Sequence, residues 1–129
     1  MKLKFLALKK YYLIIQKKGI PTMYTIMIVE NEAIERDALK IFLNRNFKNT
    51  FNKIIEAKNG HEAIKKSRIY NPNLIIMNIE IPQINGIDTQ KEILSFSSKV
   101  NTIFISAHSS FEYAQQALKL NVKDYLIKP

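Results

Sequence analysis

Four places in this sequence set polar side chains at the end of an apolar run. They are Glu30-Asn31-Glu32 after Tyr24–Val29, Asn78-Ile79-Glu80 after Leu74–Met77, Ser106-Ala107 closing Asn101–Ser106, and Lys128-Pro129 after Asp124–Ile127. Between them they supply carboxylates, amides, a hydroxyl and an ammonium. If the runs are strands of one open α/β sheet, all four fall in the crevice beyond the strands' carboxyl ends, where such sheets bind ligands. No cysteine is present, which excludes disulfide scaffolds and thiolate metal sites. His61 and His108 have no metal-ligand company. The end of the first run carries no glycine- and hydroxyl-rich phosphate loop, and no aspartate stands where a nucleophile would be needed. A flavin protein or an aspartyl phosphatase is therefore the weakest reading.

The elements that must position these residues follow from periodicity. Tyr24–Val29 (YTIMIV) is short, apolar and rich in β-branched residues, which predicts a buried strand. Ala33 to Phe47 places Ile34, Ala38, Ile41, Phe42 and Arg45 at helical spacing, with Glu32, Glu35 and Asp37 near the favourable N-terminal end. Lys53–Ala57 is a second strand. Asn59-Gly60 turns into a helix carrying Ala63, Ile64 and Ile69, and Asn71-Pro72 ends it. Leu74–Met77 is the most apolar strand and the expected centre of the sheet. A helix over Ile87–Phe96, a strand over Asn101–Ser106, a helix over Phe111–Leu120 and a strand over Asp124–Ile127 complete the series.

Strands alternating with helices of about three turns imply a parallel sheet covered on both faces. Right-handed crossovers leave few arrangements, of which the flavodoxin-like order 2-1-3-4-5 leads. The expected fold is thus a doubly wound, five-stranded α/β domain over residues 23–129. A helix is expected after the fifth strand and none is present, so either the chain is truncated or something else covers that face. The basic extension 1–22 is a candidate cover. Phe5, Leu8, Tyr12 and Ile15 form one apolar stripe, and Gly19, Ile20 and Pro21 would end the helix. The alternative is that translation starts at Met23.

Charge supports this division. The formal net charge is +9, but Lys2, Lys4, Lys9, Lys10, Lys17 and Lys18 precede Met23 with no acid among them. From Met23 onward 14 basic residues face 11 acids, so the basicity belongs to the extension and is no nucleic-acid footprint of the core. No stretch approaches the ~20 apolar residues of a membrane span. Lys9 and Lys10 interrupt the apolar opening before a signal peptide is complete. A cytoplasmic domain is expected.

The pieces IVENE, LIIMNIEIPQINGI, TIFISAH and DYLIKP, in register from Met23 to Pro129, resemble the receiver domains of bacterial two-component response regulators. FEYAQQALKLNVKDYLIKP is similar to the subfamily joined to AraC-type helix-turn-helix domains, although no such domain is present. The resemblance implies a CheY-like fold in which acidic residues after the first strand and an aspartate after the third hold Mg²⁺. That aspartate takes a phosphoryl group from a kinase histidine. Mg²⁺ needs oxygen ligands, and catalysis is positioning plus charge neutralisation. By position, Ser106 and Lys128 match the groups that bind the phosphoryl oxygens, and Tyr125 matches the aromatic switch. Glu30 matches the first acidic position, Glu80 would lend a backbone carbonyl to the metal, and Pro82 and Gly86 match the following loop.

Two positions depart from that pattern. Asn78 stands where the phosphoacceptor aspartate would be, and Asn31 replaces the second acid. An amide oxygen is a poor nucleophile, and the family's metal positions (Glu30, Asn31, Asn78, Glu80) lose two carboxylates. Each charge contact at ~4 Å is worth roughly 4 kcal/mol gross at an effective dielectric of 20. Phosphorylation is not expected, and Mg²⁺ binding is expected to be weak or absent, with no other cofactor. The implied function is a non-phosphorylatable receiver acting through protein contacts with a histidine kinase, another receiver or a second copy. DNA would be reached only through an absent output domain. The alternative is a truncated remnant of a DNA-binding regulator.

Overall fold

The computed structural model describes residues 24–47, 50–106, 111–120, 122 and 124–127. Five strands, β1 (Tyr24–Val29), β2 (Phe51–Ala57), β3 (Leu74–Asn78), β4 (Asn101–Ser106) and β5 (Asp124–Ile127), form one sheet in the order β2-β1-β3-β4-β5. Every neighbouring pair is parallel. Between them run α1 (Ala33–Asn46), α2 (Gly60–Tyr70), α3 (Gly86–Phe96) and α4 (Phe111–Lys119). The doubly wound topology read from the alternation of periods is the one observed, with the wholly buried β3 at its centre.

Strand alternation divides the sheet into two cores. Met27, Val29, Ile75, Met77 and Phe104 face Ala63 of α2, Ile87 and Ile93 of α3 and Ala117 of α4. Ile26, Ile28, Leu74, Ile76, Ile103 and Ile105 face the other way, with Leu39 and Leu43 of α1. A parallel sheet needs both covers, which is why its strands carry unbroken apolar runs.

Helix boundaries have local causes. The side chain of Asn59 accepts from the Glu62 N–H at 2.8 Å, and that of Asn85 accepts from the Asp88 N–H at 2.9 Å, capping α2 and α3. Asn71 closes α2 in the left-handed conformation, φ 47°, before Pro72. β2 begins two residues before the expected Lys53, and α1 and α4 each stop one residue short of the expected end.

The predicted apolar row of α1 needs correction. Ile34 is 84% exposed and Ile41 53% exposed, whereas Arg36, Leu39 and Leu43 face the sheet. Ile69 of α2 is exposed too. Two rows compete on α1, and the winner includes an arginine because its guanidinium finds partners at the sheet end. The predicted helix over residues 1–22, His108 and Lys128 lie outside the described residues.

Gly86 is where the chain packs most tightly against the end of β3. Its N–H donates to the Ile79 carbonyl at 2.7 Å. A Cβ there would lie 2.8 Å from Ile79 Cα and 2.9 Å from the Asn78 carbonyl oxygen, both backbone atoms that cannot swing aside. Gly86→Ala should therefore destabilise the fold by about 1–3 kcal/mol, the usual cost of overpacking. Urea denaturation checks this, and an unchanged midpoint would mean that the loop yields easily.

Candidate functional site

Each site residue is placed by a strand end. Glu30 follows β1 directly and is fixed through its backbone, its N–H donating to the Ala57 carbonyl at 3.0 Å. Asn78 is the last residue of β3, paired in register with Ile105, and the next N–H, of Ile79, donates to the Ile105 carbonyl. Ser106 closes β4 and is fully buried. Glu30 (4% exposed) and Asn78 (9%) are buried as well.

These residues form one chain of hydrogen bonds. Asn78 Nδ2 donates to both carboxylate oxygens of Glu30, each at 3.1 Å. Asn78 Oδ1 in turn accepts from the Glu80 N–H at 3.1 Å. The Glu80 carboxylate accepts a short hydrogen bond from Ser106 Oγ. The relay thus runs from β1 through β3 to β4 by way of one loop. Asn78 uses both halves of its amide, donating on one side and accepting on the other, as an ionised carboxylate cannot.

The loop after β3 is sharply folded. Gln83 takes a left-handed φ of 74° between Pro82 and Ile84, and the Ile84 N–H donates to the Pro82 carbonyl at 3.0 Å. A three-residue turn with positive φ at its centre is a strained form. It brings Asn85 to cap α3 immediately beyond the site.

The sequence reading placed Glu30, Asn78, Glu80 and Ser106 together, and the structure brings these four into contact. Glu80 engages through its N–H and its carboxylate. Asn31 is exposed beyond Glu30. Tyr125, paired with Phe104 across β4 and β5, is half-buried and packs on the core beneath α2–α4. Lys128 lies outside the described residues, so its phosphoryl-binding role stays an expectation.

Arg36 and Glu56 were missed. Arg36 Nη1 donates to the Glu30 carbonyl at 2.8 Å, and its Nε lies 3.3 Å from Glu56 Oε1. Lys40 reaches the other oxygen of Glu56 at 3.2 Å, and this hydrogen-bonded contact raises the Lys40 ammonium above its ordinary pKa. The guanidinium thereby ties α1 to the residue that carries the buried carboxylate. The available signal was the spacing of Arg36, Leu39 and Leu43, which puts a basic residue on the apolar row.

Comparison with known proteins gives these motifs a context. The family model for the response regulator receiver domain matches residues 26–129. The chain is 33% identical over 107 residues to the uncharacterized transcriptional regulatory protein YesN of Bacillus subtilis, covering 83% of this chain and 29% of that protein. It is 32% identical over 106 residues to the chemotaxis protein CheY of the same organism, covering 82% of this chain and 86% of that one. Among solved structures, the response regulator domain of Thermotoga maritima CheB superposes with a TM-score of 0.73 at 27% identity, over 83% of this chain and 79% of that one. The chain therefore spans less than a third of YesN but most of CheY.

The relay predicts how position 78 responds to change. Asn78→Leu removes the donor to a buried carboxylate and should cost about 1–3 kcal/mol. Asn78→Asp sets a second carboxylate about 3 Å from Glu30 and should cost at least as much at pH 7. That deficit should shrink as the pH falls toward 4, because a proton on one carboxyl of the facing pair restores a donor. Urea denaturation across this pH range reads both effects. An Asn78→Asp chain as stable as the parent at pH 7 would mean that the Asn78–Glu30 bond contributes nothing.

Proposed function

The chain belongs to the response regulator receiver domain family, and from that premise we propose that it is a receiver whose site is closed by internal hydrogen bonds and is not phosphorylated. Receiver domains are signalling modules of two-component systems. The observation carrying the proposal is the double hydrogen bond from Asn78 Nδ2 to Glu30. At the position where the family's nucleophilic carboxylate stands, this chain presents an amide whose donor is spent on the neighbouring acid.

The donor set also fits Mg²⁺ poorly. Octahedral Mg²⁺ is held by carboxylates and water. Here both oxygens of Glu30 face an N–H donor, Asn31 is exposed, and the Glu80 carboxylate accepts from Ser106. Among the described residues, no three His, Cys, Asp or Glu side chains cluster as a metal site.

With the chemistry gone, the remaining role is recognition. The scaffold is compatible with contacts to a histidine kinase, another receiver or a second copy. Those contacts would be independent of phosphoryl level, because Ser106 is already engaged by Glu80. A second reading follows from YesN, of which this chain spans 29%. The module would be the receiver part of a longer transcriptional regulator, with DNA contacted by an output domain. An uninterrupted reading frame for a helix-turn-helix domain beyond the Pro129 codon would support it, and a stop codon there would exclude it.

Incubation with a small-molecule phosphodonor and Mg²⁺ tests the main proposal. The parent and Asn31→Asp should yield no phosphoprotein, Asn78→Asp a trace, and the double variant a substantial, alkali-labile product. The two positions supply nucleophile and metal ligand, so their effects should be strongly non-additive. Labelling of the parent would overturn the proposal. Millimolar Mg²⁺ should likewise leave the parent's melting temperature unchanged, since a ligand raises it only by binding the native state. A saturable rise that disappears in Glu30→Gln would show that the pocket still takes the metal.

A further inference from the structure

The row that helical spacing picks out on α1 is the row the sheet leaves unused. Ile34, Ala38, Ile41 and Arg45 follow one another at intervals of four, three and four residues. Leu43, which faces the sheet, stands nine residues from Ile34, two and a half turns at about 3.6 residues per turn, so this row points directly away from the sheet. Ile34 is 84% exposed and Ile41 53% exposed, Ala38 is half-buried and Arg45 is exposed. A helix packed beside α1 in the same layer would touch the flanks of α1 and not its outer side. Two isoleucines held two turns apart on that side form a row that only a second molecule can cover.

We propose that this molecule is a second copy of the chain, its α1 laid antiparallel against the first across a two-fold axis. Intervals of four and three are those of the seam between paired helices, where side chains of one interlock with those of the other. Pairing Ala38 of one copy with Ile41 of the other sets Ile34 against Arg45 at both ends, so the whole row is used. Charge selects the direction. Glu35 lies in the first turn of α1 and Arg45 in the last. Parallel helices would bring two Arg45 guanidiniums together on the seam, whereas antiparallel helices bring each Arg45 beside the other copy's Glu35. A two-fold contact uses the same surface on both copies, so one row serves both. Each copy contributes one helix of 14 residues, about 21 Å long. That contact is smaller than the roughly 1,200 Å² of a standard interface, and the dimer is reversible. The inference rests on the recognition role proposed above but not on the identity of residue 78, and its test reads mass rather than phosphorylation.

Sedimentation equilibrium of the full chain over a concentration series tests this. The parent should show a reversible monomer–dimer equilibrium. Ile34→Glu and Ile41→Lys should each weaken it at least about tenfold, since both remove an apolar anchor from the centre of the contact. Their urea midpoints should stay unchanged, because both side chains are exposed in the monomer. Arg45→Glu should weaken the dimer too, and adding Glu35→Arg should restore it. The chain has no cysteine, so Ala38→Cys, beside the two-fold axis, should be linked into dimers by a short bis-maleimide, whereas Glu92→Cys on the exposed side of α3 should not. A parent that stays monomeric at the highest soluble concentration would overturn the proposal and leave the row to a different protein. A dimer that survives the Ile34 and Ile41 changes, or that links as readily through Glu92→Cys, forms by another surface and overturns it equally.

Discussion

Burial of both faces of a five-stranded parallel sheet governs everything else in this molecule. β3 has no exposed residue, and β1, β3 and β4 are apolar on both sides for most of their length. The buried polar groups Glu30, Asn78 and Ser106 thereby gather at the strand ends, where they leave the sheet together. The same constraint makes those ends unforgiving. Their side chains are buried, and a buried polar group must find partners or lose about 1–3 kcal/mol.

The relay from Glu30 through Asn78 and Glu80 to Ser106 meets much of that demand within the protein. It links three strands and one loop through side-chain and backbone hydrogen bonds. Arg36 supports the relay from the other side. It holds the Glu30 carbonyl while pairing with Glu56, so the first turn of α1, the end of β1 and β2 are set against one another. Arg36 and the Glu30 carbonyl it holds are buried, whereas Glu56 and the Glu62–Lys66 pair are partly exposed and the Lys91–Asp88 pair largely so, and these outer ion pairs add little.

The fold was legible in the sequence because period and punctuation agreed. Asn59-Gly60 and Asn71-Pro72 mark helix ends through a side-chain cap and a left-handed residue, both local effects that the residues themselves determine. The meeting of Glu30, Asn78 and Ser106 was legible because topology brings the ends of β1, β3 and β4 together whatever the loops do. The buried row of α1 was not. Ile34 and Ile41 are as hydrophobic as Leu39 and Leu43, and only the position of Glu56 on β2 makes Arg36 the better neighbour for the sheet. The spacing of Arg36, Leu39 and Leu43 offers that row, but the choice between the two rows rests on a long-range partner that the helix alone does not encode. The side-chain role of Glu80 was hidden for the same reason, since it depends on a loop whose tight turn at Gln83 no pattern announced.

The identity of residue 78 can be argued from its two neighbours alone. Glu30 presents two acceptor oxygens, and the Glu80 N–H presents a donor, so the residue between them must give on one side and receive on the other. An ionised aspartate satisfies the N–H but repels Glu30 unless a cation stands between them. An apolar residue withdraws both partners at once. Serine is too short to fork across both carboxylate oxygens while also accepting from Glu80. Asparagine keeps the length and shape of aspartate and supplies the donor that Glu30 accepts while still accepting from the Glu80 N–H. On the proposed reading, the same amide that offers no carboxylate nucleophile also supplies the donor that stands where a cluster of carboxylates would need a cation.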